Sequence, residues 1–263
     1  MPPRRIFRFA YYTSQSDDLR RRIHQLRDGD AFSEVAAALY ARGYVYGGLL
    51  LNLPPDEPHG PPQIDLSFLA PTDLLVINTR PPLHDRSQEN KKKVPHSGSD
   101  FERGLFRALE SYFEMCARSR IKLHERIARQ LPEDFRERAD IKFHEYTGGT
   151  YLKCRGFDGG FWQKPKPPGA TAFYLVRIPA AWENGPGLLA AFGMSGTDTL
   201  VWNYLLRTRH AEWLESCEFL MAEVVPPPLP QHPTDLSFAD DWQLTTVLRL
   251  PLPAPAARRN TAK

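Results

Sequence analysis

AAFGMSGTDTLVWNYLL, residues 190–206, is the stretch on which the reading of the whole chain turns. It opens on an apolar run suited to a buried strand. Gly193-Met194-Ser195-Gly196-Thr197 interrupts that run. Val201, Trp202, Leu205 and Leu206 then recur at helical spacing. The pattern predicts strand, tight turn and helix, with the helix running from Thr199 to about Leu214.

Three chemistries suit such a turn. A nucleophile elbow is Gly-x-Ser-x-Gly between a strand and a helix. Gly193 and Ser195 match it, but Thr197 stands where the last Gly belongs. A base would have to come from His144, His24 or His232. A phosphate cradle would use the free amides and dipole of a helix N-terminus. Asp198 already places a negative charge in that first turn, and Arg177 is the nearest cation by strand pairing. The third reading is a capped turn, in which Ser195, Thr197 or Asp198 accepts from free amides and Gly196 takes the backbone angles other residues avoid. The capped turn is the expectation, with Ser195 the one candidate catalytic residue.

Working outward, TAFYLVRI (171–178) is apolar on both faces and predicts a central strand. Asn184-Gly185 predicts the reversal that pairs it antiparallel with 188–194. EFLMAEVV (218–225) and QLTTVLRL (243–250) predict the closing strands. Toward the N-terminus, RIFRFAYYT (5–13) and YVYGGLLLNL (44–53) predict strands, and TDLLVINT (72–79) a short one buried on both faces. Two helices are expected between the first two strands: one over 16–26, and a second over 30–43, capped by Asp30 and ended by Gly43. The longest helix is expected over about 100–131, because Leu105, Leu109, Tyr112, Cys116, Leu123 and Ile127 fit a helical period and Pro132 follows Leu131. Residues 141–157 predict a hairpin around Gly148-Gly149.

Asp-Leu-Ser-Phe occurs at 65–68 and again at 235–238, each copy after a proline cluster and before a strand. This echo suggests an internal duplication of a strand–helix–strand–strand unit. It would make the Ser14 and Ser16 turn the counterpart of the 195–198 turn. The expected fold is α+β: a mixed, largely antiparallel sheet with flanking helices, one long helix and this repeat. The expected organisation is an N-terminal half (1–82), a mobile loop (83–99), a C-terminal half (100–252) packed with the first, and a disordered tail (253–263).

Composition narrows function further. Of the 263 residues 41% are hydrophobic and 25% charged, and the formal net charge of +3 is too small to demand a polyanionic partner. No apolar run is long enough to cross a bilayer. Cys116, Cys154 and Cys217 form no Cys-x-x-Cys pair, so reduced thiols in a cytoplasmic protein are expected. His124-Glu125 and His144-Glu145 lack the second histidine of a zinc helix; no metal and no cofactor are expected. Lys153, Arg155 and Trp162 combine charge with an aromatic ring, as a single-stranded nucleic-acid binder requires.

The leading expectation is a non-catalytic binding protein with a cleft between its two halves. Its partner would be a small molecule or a protein, held by Arg177, Ser195, Gly196, Thr197, Asp198, Ser14 and Ser16. The alternatives are a small hydrolase or transferase using Ser195, and the nucleic-acid binder.

Overall fold

The structure is a computed structural model and describes residues 5–12, 19–52, 68–78, 108–117, 120–138, 141–146, 149–154, 171–193, 196–225 and 236–253. Its strands are β1 (Arg5–Tyr12), β2 (Tyr44–Asn52), β3 (Leu74–Ile77), β4 (Phe113–Ala117), β5 (Arg120–Leu123), β6 (Ile141–Tyr146), β7 (Gly149–Cys154), β8 (Thr171–Ile178), β9 (Gly187–Gly193), β10 (Cys217–Val225) and β11 (Gln243–Pro251). Its helices are α1 (Leu19–Tyr40), α2 (Glu125–Ala128), α3 (Glu133–Arg138), α4 (Gly196–Thr208) and α5 (Trp213–Ser216), with a 3-10 turn at Leu236–Asp241.

Seven strands form one sheet in the order β11-β10-β8-β9-β3-β1-β2. The hairpin of β8 and β9 pairs antiparallel as expected, turning at Asn184 with its φ of 57°. β10 pairs antiparallel with β8 and with β11. The pairings β9·β3, β3·β1 and β1·β2 are parallel. The sheet is therefore mixed, with a larger parallel share than the sequence suggested. The connection from β1 to β2 through α1 is a crossover, and a crossover makes parallel neighbours. The strand over Leu74–Ile77 is buried throughout, as LLVI implied.

Alternation along the strands sorts the core into two layers. Phe7, Phe9, Leu74, Val76, Leu189 and Ala191 face α1 and α4, and are joined there by Val35, Leu39, Trp202 and Leu206. Leu75, Ile77, Leu188, Ala190 and Phe192 face the opposite way, against Leu109, Phe113, Ile121, Ile127 and Phe135. Tyr112 and Arg126 fasten this second layer to β10. The Tyr112 hydroxyl donates to Glu218 at 3.0 Å, and Arg126 pairs with the same carboxylate at 2.9 Å. Burial, reinforced by Glu218, pushes the Tyr112 pKa up to about 12.

The structure corrects the expected long helix. Phe113–Ala117 and Arg120–Leu123 pair antiparallel as β4 and β5, with a bond from the His124 amide to the Tyr112 carbonyl, and α2 and α3 follow. Apolar residues here satisfy a helical period, but Ile121 and Leu123 flanking Lys122 also satisfy a strand period. Burial of Phe113, Ile121 and Leu123 against the sheet selects the strand reading. A second correction concerns 19–40, which is one helix running through Gly29 and Asp30. Asp30 is an interior helical residue and not a cap. Packing of Ala31, Val35, Ala38 and Leu39 outweighs the penalty of about 1 kcal/mol for a helical glycine. Gly43, with φ of +80°, ends the segment as expected.

The duplicated unit is not reproduced in space. β1 lies beside β2, whereas β8 separates β9 from β10. Leu236, Ser237 and Phe238 lie in the 3-10 turn, and of the first copy only Phe68 is described. The segment 83–99, expected to be a mobile loop, and the expected tail beyond Pro253 lie outside the described residues.

Candidate functional site

The apolar strand and amphipathic helix at 190–206 form β9 and α4. Because β9 runs parallel to β3, and β3 to β1, the carboxyl ends of these three strands share one edge of the sheet. That edge also holds a topological switch. β1 has β2 on one side and β3 on the other, and open α/β sheets bind ligands outside the carboxyl ends at such a point. The seam between the two halves of the chain is the β3·β9 pairing, so the same edge is built from both.

The turn is held from within the helix. The Gly193 amide donates to the Thr199 hydroxyl at 3.0 Å, both groups being buried. Thr199 was missed by the sequence reading, which looked for a cap at 195, 197 or 198. The signal was present: Thr is the one hydroxyl on the apolar stripe of α4. Gly193 is required for a second reason. A Cβ there would stand 2.4 Å from Asp198 Cβ and 2.8 Å from the Asp198 carbonyl carbon. Gly193→Ala is therefore expected to destabilise the protein by about 1–3 kcal/mol through overpacking, measured by denaturant unfolding; an unchanged midpoint would contradict the geometry.

Two buried amides lie behind this turn. Leu74 and Val76 point toward α1 and α4, so Asn78, two residues beyond Val76, falls on the same face. Continuing the register puts it between Ala191 and Tyr11. Asn203 stands one helical turn after Thr199, on the stripe with Trp202 and Leu206. Asn78 and Asn203 are both 0% exposed, and among the described residues neither amide has a hydrogen-bond partner through Oδ1 or Nδ2. Neither residue was singled out from the sequence, because an asparagine outside a motif carries no local signal of burial.

The other expected site residues are distributed as follows. Gly196, Thr197 and Asp198 form the first turn of α4. Ser195, Ser14 and Ser16 lie outside the described residues, although β9 and β1 end on the common edge just before them. His144 belongs to β6 in a separate hairpin, His24 to α1, and His232 is outside the described residues. Lys153 lies on β7; Arg155 and Trp162 are outside the described residues. Among the described residues no group of three His, Cys, Asp or Glu is placed to hold a metal ion, and no helix is long and apolar enough to cross a membrane.

Arg177, expected beside the 195–198 turn by strand pairing, lies at the other end of β9. It pairs with Leu189, near the start of β9, and so belongs to the amino edge of the parallel strands. The reason is the direction of the hairpin: the strand that brings Arg177 toward β9 ends where β9 begins. There Arg177 donates to the carbonyls of Ile178 and Leu188 at 3.1 and 3.4 Å. Burial lowers its pKa, while the Tyr44 hydroxyl favours its charged form. Tyr44 also accepts from Arg5, whose guanidinium lies 3.9 Å from the tyrosine ring centre. Arg5 and Arg42 both pair with Glu215, at 2.8 and 2.6 Å.

Burial would raise the Glu215 pKa, but hydrogen bonds from Arg42 and Arg5 outweigh it and hold the carboxyl below its ordinary 4.5. The stabilisation from this group is thus complete above 4.5 and is lost as pH falls through the folded-state value. Acid unfolding of Glu215→Gln should be flatter below that pH than that of the wild type. Parallel acid limbs would refute the assignment.

Comparison of the chain with known protein families, with curated proteins and with solved structures found no match.

Proposed function

We propose that the protein is a non-catalytic cytosolic binding protein, which holds a small neutral molecule at the carboxyl edge of β1, β3 and β9. The observation that carries this reading is the pair of fully buried, unpartnered amides of Asn78 and Asn203 in the layer behind that edge. Each amide offers donors and an acceptor, and leaving them unused costs about 1–3 kcal/mol per group. A ligand with its own adjacent donor and acceptor, such as a carboxamide or a nucleobase edge, recovers that cost. Neutrality is favoured because Asp198 puts a carboxylate in the first turn of α4, where an anion would otherwise be welcome.

The test is thermal unfolding with nicotinamide, adenosine, cytidine and uridine as neutral probes and AMP as the anionic control. At least one neutral probe should stabilise the wild type in a saturable way and have no effect on Asn78→Leu. If no neutral probe acts, or if AMP alone does, the reading fails.

A Ser195 hydrolase is the second reading, favoured by one observation: the strand–turn–helix adjoins a parallel strand, as a nucleophile elbow does. A fluorophosphonate that labels wild type but not Ser195→Ala would establish it and displace the binding reading.

A further inference from the structure

The amino edge of the parallel strands gathers more positive charge than it balances. Arg5 begins β1, Arg42 follows α1, and Arg177 stands at the end of β8; among the described carboxylates Glu215 from α5 pairs with two of them, while Asp73, which precedes β3 at the same edge, accepts from the Ala70 amide. Positive charge remains in surplus. Glu215 uses both its oxygens on Arg5 and Arg42. Arg177 has no ion pair with any described carboxylate: its Nη1 donates to backbone carbonyls, and the Tyr44 hydroxyl and the more distant Glu215 favour its charge only in part. Arg42 keeps a buried Nε without a hydrogen-bond partner. The space for the Arg177 guanidinium depends on Gly187, where a Cβ would stand 2.5 Å from Nη1. The cluster also opens outward, since the Arg5 side chain is 47% exposed.

An uncompensated guanidinium at a partly buried position is costly, and removal of that cost needs an anion. Guanidinium forks match the oxygens of phosphate in geometry, and a phosphoryl group supplies the negative charge that the cluster lacks. We propose that Arg42 and Arg177, with the Tyr44 hydroxyl, form a binding site for a phosphoryl group at this edge, on the opposite side of the sheet's long dimension from the Asn78–Asn203 layer. It is independent of the ligand proposed above.

The test uses the full chain at constant ionic strength, with chloride exchanged for inorganic phosphate or for glycerol phosphate. Saturable binding should raise the midpoint of unfolding by about 3–6 °C at ten times Kd. A tighter response to glycerol phosphate identifies an esterified phosphoryl group, and a tighter response to inorganic phosphate identifies the free ion. Phosphate also stabilises proteins generally by exclusion from their surfaces, but that effect does not saturate. Arg42→Gln should weaken binding about tenfold or more. Glu215→Gln removes the competing carboxylate and should tighten it, phosphate restoring stability that the substitution loses. A wild type with no saturable response overturns the proposal. So does an Arg42→Gln protein that responds like wild type, or weaker binding in Glu215→Gln.

Discussion

Trp202→Ala is expected to lower the free energy of unfolding by about 3–5 kcal/mol, the usual cost of emptying a buried aromatic site. Trp202 is 0% exposed and is among the largest fully buried side chains. Its ring packs against Phe173 at 5.1 Å and Trp213 at 6.2 Å, and its indole N–H donates to the Tyr174 carbonyl at 2.9 Å. The residue joins α4 to the middle of β8, so the substitution also loosens the helix that carries the candidate site. Trp202→Phe keeps much of the volume and loses the hydrogen bond. It should cost clearly less. Urea unfolding of both variants checks this, and equal losses would show that packing does not dominate.

The second large effect has the opposite sign. Asn78→Leu and Asn203→Leu should each stabilise the ligand-free protein, by up to about 1–3 kcal/mol, because a buried polar group with no partner is replaced by an apolar one of the same branching. The larger methyl groups of Leu must be accommodated, which sets an upper bound on the gain. The two residues lie in one layer, so the double variant need not be additive. The same substitutions should abolish binding at the carboxyl edge. A gain in stability joined to a loss of function is the mark of a residue kept for its chemistry. If both variants instead lose stability, the amides serve the fold, and the proposed site loses its main support.

The amino-acid sequence by itself determined the local elements whose periodicity admits one reading. LLVI reads as a short strand buried on both faces, and Asn184-Gly185 as the reversal between two apolar strands, and the structure has both. AAFG followed by the stripe of Val201, Trp202, Leu205 and Leu206 already specified a strand, a break and a helix. These readings need only near neighbours, and from them the α+β class follows.

The tertiary structure decided what depends on distant partners. Residues 113–123 satisfy two periods, and only the sheet beneath them makes the hairpin more favourable than a helix. Gly29 would break an isolated helix, yet the contacts of Val35 and Leu39 with the sheet and α4 carry α1 through it. The two copies of Asp-Leu-Ser-Phe look alike in sequence, but the strands around them pair in different orders. The candidate site is of this second kind. Asn78 and Asn203 are far apart in sequence, and each is unremarkable in its own window. The parallel pairing of β3 with β9 and the packing of α4 over the sheet place both in one buried layer, while the antiparallel β8 carries Arg177 to the other edge. Pairing between distant strands is set by the burial it achieves across the whole sheet, and no short window of sequence contains that sum.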